Sequence, residues 1–271
     1  MRDTGFGVRH LPATCRYGNS QLLFRGPPRP LGGRHIAFLG GSETYGRFLM
    51  RPFPDLVEER LGIVCVNLGC LHASAGAFID DPDILAACRR AAVTVIGITG
   101  AQNLSNRFYT VHPRRNDRFL RPSAALLRLY PEVDFTGFCF TRPMLMQLHA
   151  TDPDRFAILC AELRTAWNAR MRSLLARVGP GPVLLWLARH PPPPDAATPG
   201  DAPDWADPLL VTAPMVDALR PHVRRIVLVR PPSDTPPPPG SPAAAAHLPG
   251  QPAHDHAADL LVPVLRAAIG S

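Results

Sequence analysis

Three observations predict a three-layer α/β/α fold built on a five-stranded, mostly parallel sheet. Short apolar runs recur at 34–41, 63–68, 93–98, 182–188 and 225–229, as buried strands would. Helix-like segments separate them, and that alternation implies parallel strands joined by crossovers, with helices on both faces. The first run ends in Gly40-Gly41, where the chain has to turn, and delivers Ser42 directly afterwards. In a sheet of order 2-1-3-4-5 the first three strands are neighbours, and ligands bind just outside their carboxyl ends.

The elements follow in order. Residues 1–33 are rich in Gly, Pro and Arg and read as an extended arm, with an edge strand over 21–24. Residues 34–271 read as one domain. Pro54 is allowed in the first turn of a helix over 54–61. Asp81 and Pro82 open another over 81–91. After the third strand, residues 104–150 are too long for an ordinary loop; their aromatic residues point to a lid or small subdomain with some helix. The longest helix is expected over 153–178, started by Asp152-Pro153 and stopped by Gly179-Pro180-Gly181, its apolar residues at i, i+3, i+4 spacing. Proline-rich loops fill 190–208 and 231–252, where regular structure is excluded. Thr212 caps a short helix to 219, and the last helix spans 253–269.

Composition narrows the chemistry. The chain has 271 residues and a formal charge of +7, yet every basic residue is Arg and none is Lys. That excludes a Walker-type GK[ST] loop, a Schiff-base lysine and a Lys–Glu kinase pair. An Arg-, Ala- and Pro-rich composition fits a GC-rich coding bias, so the charge does not imply nucleic acid. No run approaches the ~20 apolar residues of a membrane span, and the first residues lack a signal-peptide core, so a cytoplasmic protein is expected. The six cysteines show no CxxC spacing; they read as buried thiols, with no metal and no cofactor implied.

Three loops at the sheet's carboxyl edge bear polar residues: Ser42, the stretch 67–74, and Gln102-Asn103. His254 opens the last helix. Each has an ordinary reading. Ser42 could cap a helix. Asn103 could form a turn. A His in a first turn could be a surface residue. A second feature is His112, Arg114, Arg115, Arg118 and Arg121. Arg forks there suit a phosphate, sulfate or carboxylate, or else form a solvated loop pairing with Asp117 and Asp134.

The joint pattern resembles the SGNH (GDSL-like) hydrolases, whose sheet has the flavodoxin-like order 2-1-3-4-5. GGSETYG is similar to their first block, with Ser42, Thr44 and Gly46 in register. NLGCLHASAG resembles the second, GAQN the third, and PGQPAHDHAADLL the last, in which a His opens the final helix. Within that fold the chain resembles an uncharacterised alphaproteobacterial group carrying GGSETYG and GAQNLSNRFY-type signatures. The resemblance implies Ser42 as nucleophile and His254 as general base. It implies an oxyanion hole from Ser42, a block-two amide near Gly69, and the Gln102 or Asn103 side chain. The departures are Gly41 for the block-one Asp, Gln102 for the block-three Asn, His72 where an oxyanion Gly is expected, and Gln251 for the Asp three residues before His254.

Three functions are then in competition. One is a hydrolase of carboxylic esters, such as acyl or acetyl groups of a saccharide. The second is a non-catalytic or regulatory binding domain. The third is a transferase-like protein holding an anionic ligand through Arg114, Arg115 and Arg118. The partner expected is a small molecule or saccharide ester, not nucleic acid. Between His254 and His256, the register of the last block favours His254.

Overall fold

The computed structural model describes residues 12–194, 205–231 and 248–270. Residues 1–11 of the arm and the middles of both proline-rich loops, 195–204 and 232–247, lie outside the described residues, as does Ser271.

The arm forms a small antiparallel ladder, β1 (Thr14–Cys15) with β2 (Phe24–Arg25), in place of an edge strand of the main sheet. The main sheet begins with β3 (His35–Gly40). It continues through α1 (Ser42–Tyr45), α2 (Phe53–Leu61), β4 (Val64–Gly69), α3 (Ala75–Phe78), α4 (Pro82–Arg90) and β5 (Val93–Gly97). The insertion follows, with the hairpin β6 (Tyr109–Val111) and β7 (Phe119–Pro122), then α5 (Ala124–Leu129) and α6 (Thr141–Thr151). The chain closes with α7 (Pro153–Arg177), β8 (Val183–Leu187), α8 (Ala213–Asp217), β9 (Arg225–Val229) and α9 (Gln251–Gly270).

The sheet order is β4-β3-β5-β8-β9, parallel throughout, which is the 2-1-3-4-5 order expected. Side chains alternate across it. Ile36 and Phe38 face α2 and α9, packing with Phe53, Val57, Ala257 and Leu261. Ala37 and Leu39 face the other layer, with Ile84 of α4 and Leu163 and Trp167 of α7. With both faces covered, β3 is buried along its whole length, which is why its sequence is a nearly continuous apolar run.

The caps read from sequence are present at two helices. The Asp81 side chain accepts from the Ile84 N–H and that of Asp152 from the Arg155 N–H. Thr212 stands at its expected N-cap without a side-chain bond. The insertion buries Tyr109, Phe119, Tyr130, Leu145 and Leu148 in the same core as α7. Its buried Asn116 accepts the Ser74 N–H at 2.8 Å, which ties the insertion to the loop after β4. Among the described residues no helix is long and apolar enough to cross a membrane.

Candidate active site

The carboxyl ends of β3, β5 and β8 open onto a cavity of about 370 Å³, lined among others by Ser42, Glu43, His72, Gln102, Asn103 and Trp205. Ser42 is the first residue of α1, but the N-cap is Gly41, and no side chain caps that helix. The Ser42 hydroxyl instead accepts the His72 backbone N–H at 3.0 Å. The glycines before it meet a demand for space. Gly41 has φ of −84°, open to any residue, but a Cβ there would stand 2.9 Å from the Glu43 Oε2. A Cβ on Gly40 would stand 2.1 Å from the Thr44 hydroxyl.

The second loop supplies a different amide from the one expected. The Gly69 N–H donates to the Asn67 Oδ1 at 2.9 Å, and Asn67 Nδ2 donates to the Thr44 carbonyl. The Gly69 N–H is therefore engaged within its own loop. The amide beside Ser42 is that of His72, which sits at φ +59°, a left-handed conformation uncommon for a residue with a Cβ. Its Nδ1 lies 3.6 Å from Asp117.

The third loop divides Gln102 from Asn103. Gln102 Nε2 donates to Asp207 at 3.0 Å, and its buried Oε1 has no partner among the described residues. One Nε2–H of Gln102 is held by Asp207, and its second N–H remains a donor. Asn103 Oδ1 accepts the Thr141 hydroxyl at 2.7 Å, and its carbonyl accepts the Ser74 hydroxyl at 2.6 Å. The amide half of Asn103 left to donate into the cavity is its NH2. The Trp167 indole N–H holds the Thr99 carbonyl at 2.8 Å, fixing this loop on α7.

His254 is 1% exposed, stacked at 5.5 Å on Phe53, and its Nδ1 accepts the Phe53 backbone N–H at 3.0 Å. A backbone N–H only donates, so the neutral ring carries its proton on Nε2. Burial, with the Arg25 charge adding to it, pulls the imidazole pKa down to about 3, so the ring is neutral at pH 7. A ring with Nε2 protonated has no lone pair there for the Ser42 proton. In this tautomer the His254 ring is an N–H donor. Gln251 does not orient it, since its amide donates to the Arg51 carbonyl at 2.9 Å. His254 shares with Ser42 and Glu43 a small void of about 10 Å³. His256 lines a separate surface hollow with Arg189, Leu228 and Arg230.

Glu43, Asp207 and Arg142 were not marked as site residues from sequence. Arg142 pairs with Asp207 at 2.6 Å, on the wall of the same cavity. The Glu43 carboxyl is pushed up to about 7, first by burial and then by the Asp207 charge. The one sequence signal for Glu43 was its place next to Ser42.

The Arg-rich segment stays outside the cavity. Arg114, Arg115 and Arg118 are exposed. Arg115 lies 3.6 Å from Asp117, and Arg118 packs over the Phe140 ring at 5.6 Å. Of the cysteines, Cys65, Cys70, Cys88 and Cys160 are buried free thiols, while Cys139 is exposed. Among the described residues, no three His, Cys, Asp or Glu side chains gather as a metal site.

Fold and site together define a three-layer α/β protein with a serine at the carboxyl edge of its parallel sheet. The chain belongs to the family described as "Domain of unknown function (DUF6473)", whose model matches residues 5–269. No curated protein matches it. Among solved structures it is similar to the lipase Lip_vut3 from a goat rumen metagenome. That likeness has 14% identity and a TM-score of 0.40, covering 87% of this chain and 97% of that one. It is also similar to a carbohydrate acetylesterase family member from Sinorhizobium meliloti, with 12% identity and a TM-score of 0.43, covering 88% of this chain and 100% of that one. At such distances, what the cavity does chemically has to come from its own residues.

Proposed function

We propose that this chain is an SGNH-like serine hydrolase of carboxylic esters with Ser42 as nucleophile. One observation supports this above the others: the Ser42 hydroxyl rests on the His72 amide in a cavity that Asn103 also lines, with the Asn103 NH2 unspent. The Ser42 Oγ attacks the ester carbonyl carbon. As the Oγ–C bond forms, negative charge moves to the carbonyl oxygen, where the N–H groups of Ser42 and His72 and the Asn103 NH2 receive it. The C–O bond to the alcohol then breaks and the leaving oxygen takes a proton. Water cleaves the acyl-serine and restores Ser42. The His72 amide now holds the Ser42 Oγ itself, so the hydroxyl swings off it when a carbonyl oxygen arrives. Of the expected Ser–His pair, His254 then serves as an N–H donor and not as the base. A cavity of about 370 Å³ suits a short acyl group. Trp205, whose ring packs on His149 and Phe156, also lines the cavity, in keeping with an acylated saccharide.

One observation favours a second reading, a binding domain without catalysis: the Phe53–His254 bond leaves the imidazole unable to act as base. Hydrolysis of p-nitrophenyl acetate separates the two. A hydrolase loses roughly a thousandfold or more in rate on Ser42→Ala; equal rates for wild type and variant leave the binding domain.

A further inference from the structure

We infer that Glu43 exchanges the proton with Ser42, a role that rests on the hydrolase reading. The Glu43 side chain folds back over Gly41. Its Oε2 stands 2.9 Å from where a Gly41 Cβ would be, and that same point lies 3.3 Å from the Ala73 carbonyl and from the Thr99 methyl. The carboxyl therefore fills the wedge between the loops leaving β3, β4 and β5. It occupies the space in which a side chain on residue 41 would project, so Gly41 and Glu43 form one device: the glycine makes room and the glutamate brings the carboxyl.

Glu43 and Ser42 share two cavities. Both residues line the main cavity, and both line the void they share with His254. At about 10 Å³ that void is close to the size of one water, and Ser42, Glu43 and His254 are among the residues that line it. A third hollow against Glu43 is apolar, walled by Phe53, Ile98, Leu185 and Leu187.

Most of the other titratable groups around Glu43 are engaged elsewhere, while His190 keeps a buried Nε2 without a partner among the described residues on the wall of the main cavity. Asp207 is bound to Arg142 and Gln102. The His254 ring presents an N–H. His72 lies against Asp117. His190 has its Nδ1–H on the Pro191 carbonyl, which leaves Nε2 as an acceptor, and Glu43→Gln, which keeps His190, tells the two bases apart. Arg47 of the small void and Arg189 of the main cavity are cations with no proton to accept. A carboxyl pushed up to about 7 is half-ionised near neutrality, as a general base should be. Ionised Glu43, directly or through the void water, takes the Ser42 proton as the Oγ–C bond forms. It returns that proton to the alcohol oxygen as the C–O bond breaks. In the second half it takes a proton from water and hands it back to Ser42.

The test is the rate of fluorophosphonate labelling, followed by intact-protein mass, between about pH 5 and pH 9. Wild type should label with a rate that rises through a midpoint near 7. Glu43→Gln should label roughly a hundredfold or more slowly at high pH and lose the midpoint. Gly41→Ala, which crowds the carboxyl without straining the backbone, should move that midpoint. A wild-type rate flat across the range overturns the role of Glu43 and leaves Ser42 as nucleophile. So does a Glu43→Gln profile equal to wild type. No labelling of folded wild type at any pH removes the hydrolase reading and this role with it. If Glu43→Gln fails to fold by circular dichroism, the wild-type profile and Gly41→Ala decide alone.

Discussion

Replacing His254 by Asn turns the bonding of that ring into a measurable pH effect. The Asn Oδ1 can take the place of Nδ1 and keep the Phe53 N–H satisfied, but it does not titrate. In the folded protein the imidazole pKa is pulled down to about 3, against an ordinary 6.5 in the unfolded chain. Between those values the unfolded state binds a proton that the folded state refuses. The stability this group protects is whole above 6.5 and is lost as pH falls towards 3. At about pH 4.5 the loss is on the order of 2–3 kcal/mol, and at about pH 7 it is small. Relative to wild type, His254→Asn should therefore gain on the order of 2–3 kcal/mol on going from neutral pH to about pH 4.5. Urea unfolding of both proteins at the two pH values measures this, and taking the difference cancels every other titrating group. His254→Leu should share the pH dependence but stand about 1–3 kcal/mol lower throughout, because the buried Phe53 N–H loses its acceptor. A wild-type-minus-Asn difference independent of pH would refute a neutral, buried His254.

Glu43→Gln should show the opposite sign. A carboxyl raised to about 7 favours folding as pH falls, so on going from about pH 4 to above pH 7 the Gln variant should gain roughly 3 kcal/mol on wild type in the same urea titrations. The opposed signs of His254 and Glu43 would hide both in wild type alone. Thr141→Val should free the Asn103 amide to turn and lower kcat for a p-nitrophenyl ester roughly ten- to a hundredfold with little change in KM. Thr141→Ser should restore it; a kcat unchanged by Val would remove Asn103 from the oxyanion set. Arg114→Ala with Arg115→Ala should change thermal stability by less than about 0.5 kcal/mol, because both side chains are exposed. If the segment also holds an anionic ligand, that ligand's affinity should fall with the mutations and with salt; an affinity indifferent to both leaves a solvated loop.

The fold was legible because its signals are local. A strand buried on both faces has to be apolar along its length, as 36–39 and 183–187 are, and Asp81 and Asp152 mark their helix starts by their own side chains. The site was legible only in part, because its bonding is set by contacts far apart in sequence. Ser42 and Asn103 could be marked from their place after strands. That the Gly69 amide is spent on Asn67, or that His254 takes its proton pattern from Phe53, depends on which groups meet across the fold. Asp207 reaches the cavity from a proline-rich stretch with no periodicity, and Glu43 matters through the space left over Gly41. Neither leaves a pattern in one sequence.

The most direct measurement on the hydrolase reading is the site of a fluorophosphonate adduct, mapped by peptide mass spectrometry near pH 8. A single adduct on Ser42, abolished in a folded Ser42→Ala variant, is the result expected. A folded wild-type protein that gains no adduct, or gains one on another residue, contradicts Ser42 as the nucleophile.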